Sequence, residues 1–188
     1  MKKILTVLLV SASFLIHAQC PVGGSSTRAD LQALDSLKNR SDTAGMSTAI
    51  SYQVADLLSI KDGDTTISLT AAVSVTGYLV MVKMGGSETC NCHSINNADW
   101  DFHLELSAEP TGTGTESMIC EVTRYTKPYV NMTLPQLRQL VGKQITLFGR
   151  FFYDSEHKNA SLADSPQNKH DWRATDLELH PVTGIIVH

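Results

Sequence analysis

Three strand-like stretches, one capped helix and two further strand-like stretches, in that order, predict a mainly β protein built on a five-stranded barrel. Residues 71–84 are Val-rich with Gly77 in the middle, the pattern of a long strand that bends or bulges. Residues 102–107 and 175–180 alternate strictly, with Leu104, Leu106, Leu177 and Leu179 on one face and charged residues on the other.

The N-terminal third is helical and linker-like. Residues 20–29 are small and turn-forming, and Leu31, Leu34 and Leu37 then predict a short amphipathic helix ending near Asn39 and Arg40. Residues 52–60 predict a further helical turn, stopped by Lys61-Asp62-Gly63-Asp64. Strands follow over residues 71–84, 102–107 and 118–123. Thr133 is placed to N-cap a helix over 133–141, with Leu137, Leu140 and Val141 facing in and Gly142 ending it. The fourth strand is 144–153. The fifth is 175–180, stopping or bending at Pro181 and resuming at 185–187. This order is that of an OB-type barrel, with its helix between strands three and four and a short helical segment in front. An open α+β sheet is the plainer alternative.

Met1-Lys2-Lys3 followed by a largely apolar run over residues 4–16 and the small Ala18 predicts an export signal over residues 1–18. The run is shorter than the ~20 residues of a membrane-spanning helix. The expected organisation is therefore a signal at 1–18, a linker and short helical segment at 19–69, and the barrel at 70–188. The protein is expected in the periplasm or secreted. Lipid attachment at Cys20 would place it at the outer membrane, but Gln19 stands where lipoprotein signals have a small residue. Without Lys2 and Lys3, 13 basic residues remain against 19 acidic ones, net −6. That balance argues against a generic nucleic-acid binder, which needs Lys and Arg to neutralise phosphates.

The chemistry-bearing residues lie on the polar faces of two strands and in the loops beside them. Asp101, His103 and Glu105 share one face, and Asp176, Glu178 and His180 share another. Arg173 beside them suits bidentate contact with a carboxylate or phosphate; its plainer role is pairing with Asp101, Glu121 or Glu178. Asp154 and His157 follow the fourth strand. The candidate ligand face is thus Asp101, His103, Asp154, His157, Arg173, Glu178 and His180, for a small molecule or an envelope partner. Cys92 and His93 together with His103 and His180 make a candidate Cys/His set for a divalent metal such as zinc, although the spacing lacks a Cys-x-x-Cys or His-x-x-x-His pair. A metal-assisted hydrolase, with Glu178 or Glu105 as base, is one alternative. A Cys92/His103 nucleophile pair is another, and a ligand-free structural envelope protein is a third. In an oxidising compartment Cys120 is a bridge candidate, to Cys90 or to Cys92.

These motifs resemble a family of exported bacterial proteins of uncharacterised function with an OB-like core. The resemblance is carried by Leu37-Lys38-Asn39-Arg40, Gly77-Tyr78, Glu88-Thr89-Cys90-Asn91-Cys92-His93, Asp101 to Leu106, Glu121-Val122-Thr123, Asp154-Ser155-Glu156-His157 and the run from Trp172 to Thr183. It implies fold and export and supplies no reaction. The chain departs from the family at Cys90 and Cys120, where apolar residues such as Val are expected. That departure singles out a Cys90–Cys120 bridge.

Overall fold

The computed structural model describes residues 20–41, 45–158, 161 and 172–188. The expected export signal lies outside the described residues, as does most of the polar loop before Trp172. The strands are β1 (Ile50–Gln53), β2 (Val73–Met84), β3 (Phe102–Ser107), β4 (Ser117–Val122), β5 (Gln144–Tyr153) and β6 (Leu177–Val187). The helices are α1 (Ala29–Lys38), α2 (Val54–Leu57), α3 (Lys127–Val130) and α4 (Leu134–Arg138).

Strands β2 to β6 close into a five-stranded barrel. The order β2-β3-β4-β6-β5 returns to β2 through the β2–β5 ladder, and β4–β6 is the parallel seam characteristic of OB-like order. The barrel is filled by inward residues at every second position: Val73 and Val75, Leu104 and Leu106, Met118 and Cys120, Leu147, and Leu177 and Leu179. All of these are fully buried. α4 and the turn after it pack Leu137 and Leu140 against the core. Its capping box is complete, with Thr133 Oγ1 accepting from the Gln136 amide and Gln136 Oε1 accepting from the Thr133 amide. Gly142 adopts φ 86°, which only glycine takes without strain.

Several expectations need correction. β1 was not foreseen; it lies parallel to β2 over a segment read as polar linker and helical turn, and α2 begins only at Val54. Val141 is 45% exposed, because the helix ends before it. Gly77 is not the bulge. A side chain there would stand 2.6 Å from Val54 Cγ1 and 2.9 Å from the Ser107 carbonyl, so the residue permits a close approach, while the register shift falls between Leu79 and Met81. β6 does not stop at His180. It runs on through the cis His180–Pro181 bond, and a register shift against β5 between Gly149 and Phe151 accommodates a residue that cannot donate to the ladder. α1 buries Leu34, Asp35 and Lys38, whereas Leu37 is exposed.

The disulfide joins Cys20 to Cys92, and Cys90 and Cys120 are free buried thiols. The expected Cys90–Cys120 bridge is therefore absent. Cys120 points into the barrel core and Cys90 lies in the turn on the barrel's outside, so the sheet itself separates them.

Candidate functional site

The alternation of β3, β4 and β6 puts apolar residues inside the barrel and sends Asp101, His103, Glu105, Glu121, Glu178 and His180 to its outer face. An outer face ordinarily meets water. Here it is covered: His103, Glu105, Glu178 and His180 are 6%, 3%, 3% and 0% exposed. Over the β6 side the cover is α1 with the segment leading into it, tied by the Cys20–Cys92 bond to the short turn Thr89–Asn91, while Trp172 and Lys83 lie against His103 and Glu105. Asn39 Nδ2 donates to the carbonyls of Val22 and Cys90 at 2.9 and 2.8 Å. Thr89 Oγ1 donates to Asp35 Oδ1. Arg40 donates to the His180 carbonyl at 2.8 Å, fastening the cover to β6.

Beneath the cover the charged groups form a continuous chain. Asp154 meets His157 Nδ1 at 2.5 Å and Arg173 Nη1 at 3.6 Å. Arg173 bonds Glu178, whose other oxygen lies 3.3 Å from His180 Nδ1. His180 is 3.5 Å from Glu121 and, through Nε2, 3.8 Å from Asp101. Glu121 bonds His103 Nδ1 at 3.0 Å; His103 Nε2 approaches Glu105 at 3.4 Å, and Glu105 pairs with Lys83 at 3.6 Å. Lys38 enters from the cover, 3.3 Å from Glu88.

Burial disfavours charge on His103, Glu121, Asp101 and Asp154, and neighbours decide which keep it. Burial opposes the His103 imidazolium, but its bonds to Glu105 and Glu121 raise its pKa to about 9. Burial likewise opposes the Glu121 carboxylate, yet the His103 bond and the His180 charge bring it down to about 2. Asp101 goes the other way, up to about 7, through burial and then the Glu121 charge. Asp154 is held well below the usual range against its burial by His157, Lys38 and Arg173. Burial pushes the Cys90 and Cys120 thiols up, which disfavours the thiolate form.

Above this chain opens a cleft of about 220 Å³. Its floor includes Glu121, Glu178 and His103, and its walls include Lys38, Lys83, Glu88, Asp154, His157 and Trp172. Trp172 stacks obliquely with His103 and edge-on with His157, and Lys83 lies over its ring at 5.5 Å.

The structure thus gathers all seven residues of the expected ligand face. The proposed metal set is broken up. Cys92 is disulfide-bonded and offers neither a thiolate ligand nor a nucleophile to His103, while His93 is exposed on the outside of the turn with φ 53°. Cys20, with its sulfur in the same disulfide, has no thiol left for a lipid. His180 is wholly buried rather than placed at the barrel rim. Sequence reasoning missed Lys38 and Lys83. Lys38 follows Leu34 by four positions on α1, which is the only trace of its inward orientation.

The sequence matches no protein-family model and no curated protein. Among solved structures it is similar to a chain of the crystal structure of yeast Stn1 and Ten1, at 14% identity and a TM-score of 0.41. The match covers 78% of this chain and 66% of that one, so the chain spans just under two thirds of its neighbour's length. No helix among the described residues is long and apolar enough to cross a membrane.

Proposed function

We propose that this is an exported binding protein that seats a small charged ligand in the cleft on the outer face of its OB-like barrel. The observation that carries the reading is the cleft itself: a hollow floored by buried, fixed charges and rimmed by the half-exposed Lys83 and His157. At about 220 Å³ it is smaller than the ~300–1,000 Å³ of drug-sized pockets, which favours a ligand of few heavy atoms. Export is supported by the N-terminal pattern, by the family resemblance and by a disulfide, a bond that persists in oxidising compartments. In this reading residues 1–18 are the signal, 19–69 a linker and short helical segment that includes the α1 cover, and 70–188 the barrel.

The test is thermal unfolding of the mature chain, and Trp172 fluorescence of its Trp100→Phe form, with millimolar glycine, succinate, acetate or inorganic phosphate, since a ligand that binds the folded state raises Tm. At least one should raise Tm and alter emission in the parent but not in Lys83→Ala/His157→Ala. If none moves either signal, the binding reading falls. A second reading then gains ground, in which the network braces the cover against the barrel; the complete burial of Arg173 between Asp154 and Glu178 favours it.

A further inference from the structure

We propose that Asp101, Glu121 and His180 hold a divalent first-row transition cation, with Glu178 orienting His180 from behind. The proposal deepens the reading of the cleft as a ligand seat and rests on it, since Glu121 belongs to both. One imidazole nitrogen and one oxygen from each carboxylate lie within 4.8 Å of one another. Two ligand atoms each ~2.1 Å from one tetrahedral ion stand ~3.4 Å apart, so the set needs to contract by up to about 1.4 Å, a side-chain rotation.

His180 is the independent observation. It is fully buried, its Nε2 has no hydrogen-bond partner among the described residues, and that atom faces Asp101 Oδ2 at 3.8 Å. Its Nδ1 lies 3.3 Å from Glu178 Oε2, and Glu178 is in turn held by Arg173. A metal-bound histidine gives one nitrogen to the ion and donates its other N–H to a carboxylate, which fixes the tautomer and the ring plane. Glu178 occupies that second position, and the lone pair of Nε2 is left directed at Asp101, while Glu121 Oε2 stands 3.5 Å from the Nδ1 edge of the same ring.

The donor set selects the ion. Imidazole beside two carboxylates, with no thiolate, suits Mn²⁺, Fe²⁺, Co²⁺ or Zn²⁺ rather than Cu⁺, which prefers sulfur, or Ca²⁺, which takes six to eight oxygens. Entry is open, because the Asp101 and Glu121 side chains each remain 12% exposed.

The experiment titrates the chelator-stripped mature chain with Co²⁺, reading its visible d–d absorption, and then displaces it with Zn²⁺. One equivalent should bind. Asp101→Asn should remove stoichiometric uptake, and Glu178→Gln, a positioning change, should weaken it by about 10–100-fold. His93→Ala should leave it unchanged. Circular dichroism identifies any variant that fails to fold, and the Glu178→Gln titration then still decides. No Co²⁺ uptake by the parent, or parent-like affinity in both folded variants, would overturn the proposal. If Co²⁺ fails to bind while glycine, succinate, acetate or phosphate still shifts Trp172, the metal falls and the cleft reading stands.

Discussion

Replacing Arg173 by Met should be among the most damaging single changes on the outer face of this barrel. Its guanidinium is fully buried, bonds Glu178 and lies 3.6 Å from Asp154, so its loss takes the shared cation from two buried carboxylates and leaves them only His157 and His180. At an effective dielectric of ~20, unit charges 3.6 Å apart attract by about 4–5 kcal/mol. Breaking one partner from a buried pair costs about 3–5 kcal/mol in practice. For a domain of this size that is a fall in Tm of about 6–20 °C. The assay is thermal and urea unfolding of Arg173→Met, Arg173→Met/Glu178→Gln and, as a reference, Arg28→Met, which breaks an exposed pair with Asp30. The double variant should recover part of the loss, because removing both charges is gentler than orphaning one. A drop for Arg173→Met of less than about 3 °C, indistinguishable from Arg28→Met, would refute the idea that this network carries stability.

Three further outcomes are expected. Cys20→Ser/Cys92→Ser should lose about 4 kcal/mol, the chain-entropy value for a bridge of sequence separation 72, and peptide mapping of the parent should recover the 20–92 link with Cys90 and Cys120 alkylated only after unfolding. Asp154 has a pKa depressed below its unfolded value of ~3.9, so its contribution is complete above that pH and is lost as pH falls further; Asp154→Asn should flatten the acid limb of a stability–pH curve, and an unchanged limb would count against the pairing. Gly77→Ala should cost about 1–3 kcal/mol by urea unfolding, because the new methyl meets Val54 and the Ser107 carbonyl.

The barrel was legible because its interior obeys a period of two. Leu104 and Leu106, and Leu177 and Leu179, announce their strands, and Thr133 with Gly142 announces the helix between strands three and four. The same period placed Asp101, His103, Glu178 and His180 on common faces, which is why the candidate site was largely visible. What stayed hidden depends on contacts distant in sequence. Nothing around Lys38 reveals that it will be sealed against Glu88, fifty residues away. Pro181 reads as a strand terminator unless the register shift opposite it is known. The disulfide was misassigned because cysteine spacing carries no information about which side of a sheet each thiol occupies.

The parallel seam between β4 and β6 spans two register pairs, Ile119–Glu178 and Cys120–Leu179, whereas β3–β4 spans six. The charged chain crosses that seam, with Glu121 on one bank and His180 on the other. The barrel is therefore latched there by side chains as well as by its short backbone ladder, and a ligand of the proposed kind would work as a hasp. Amide exchange along β4 should consequently report occupancy of the outer face: fast breathing when the latch is loose, and slow when a bound charge draws Glu121 and His180 together.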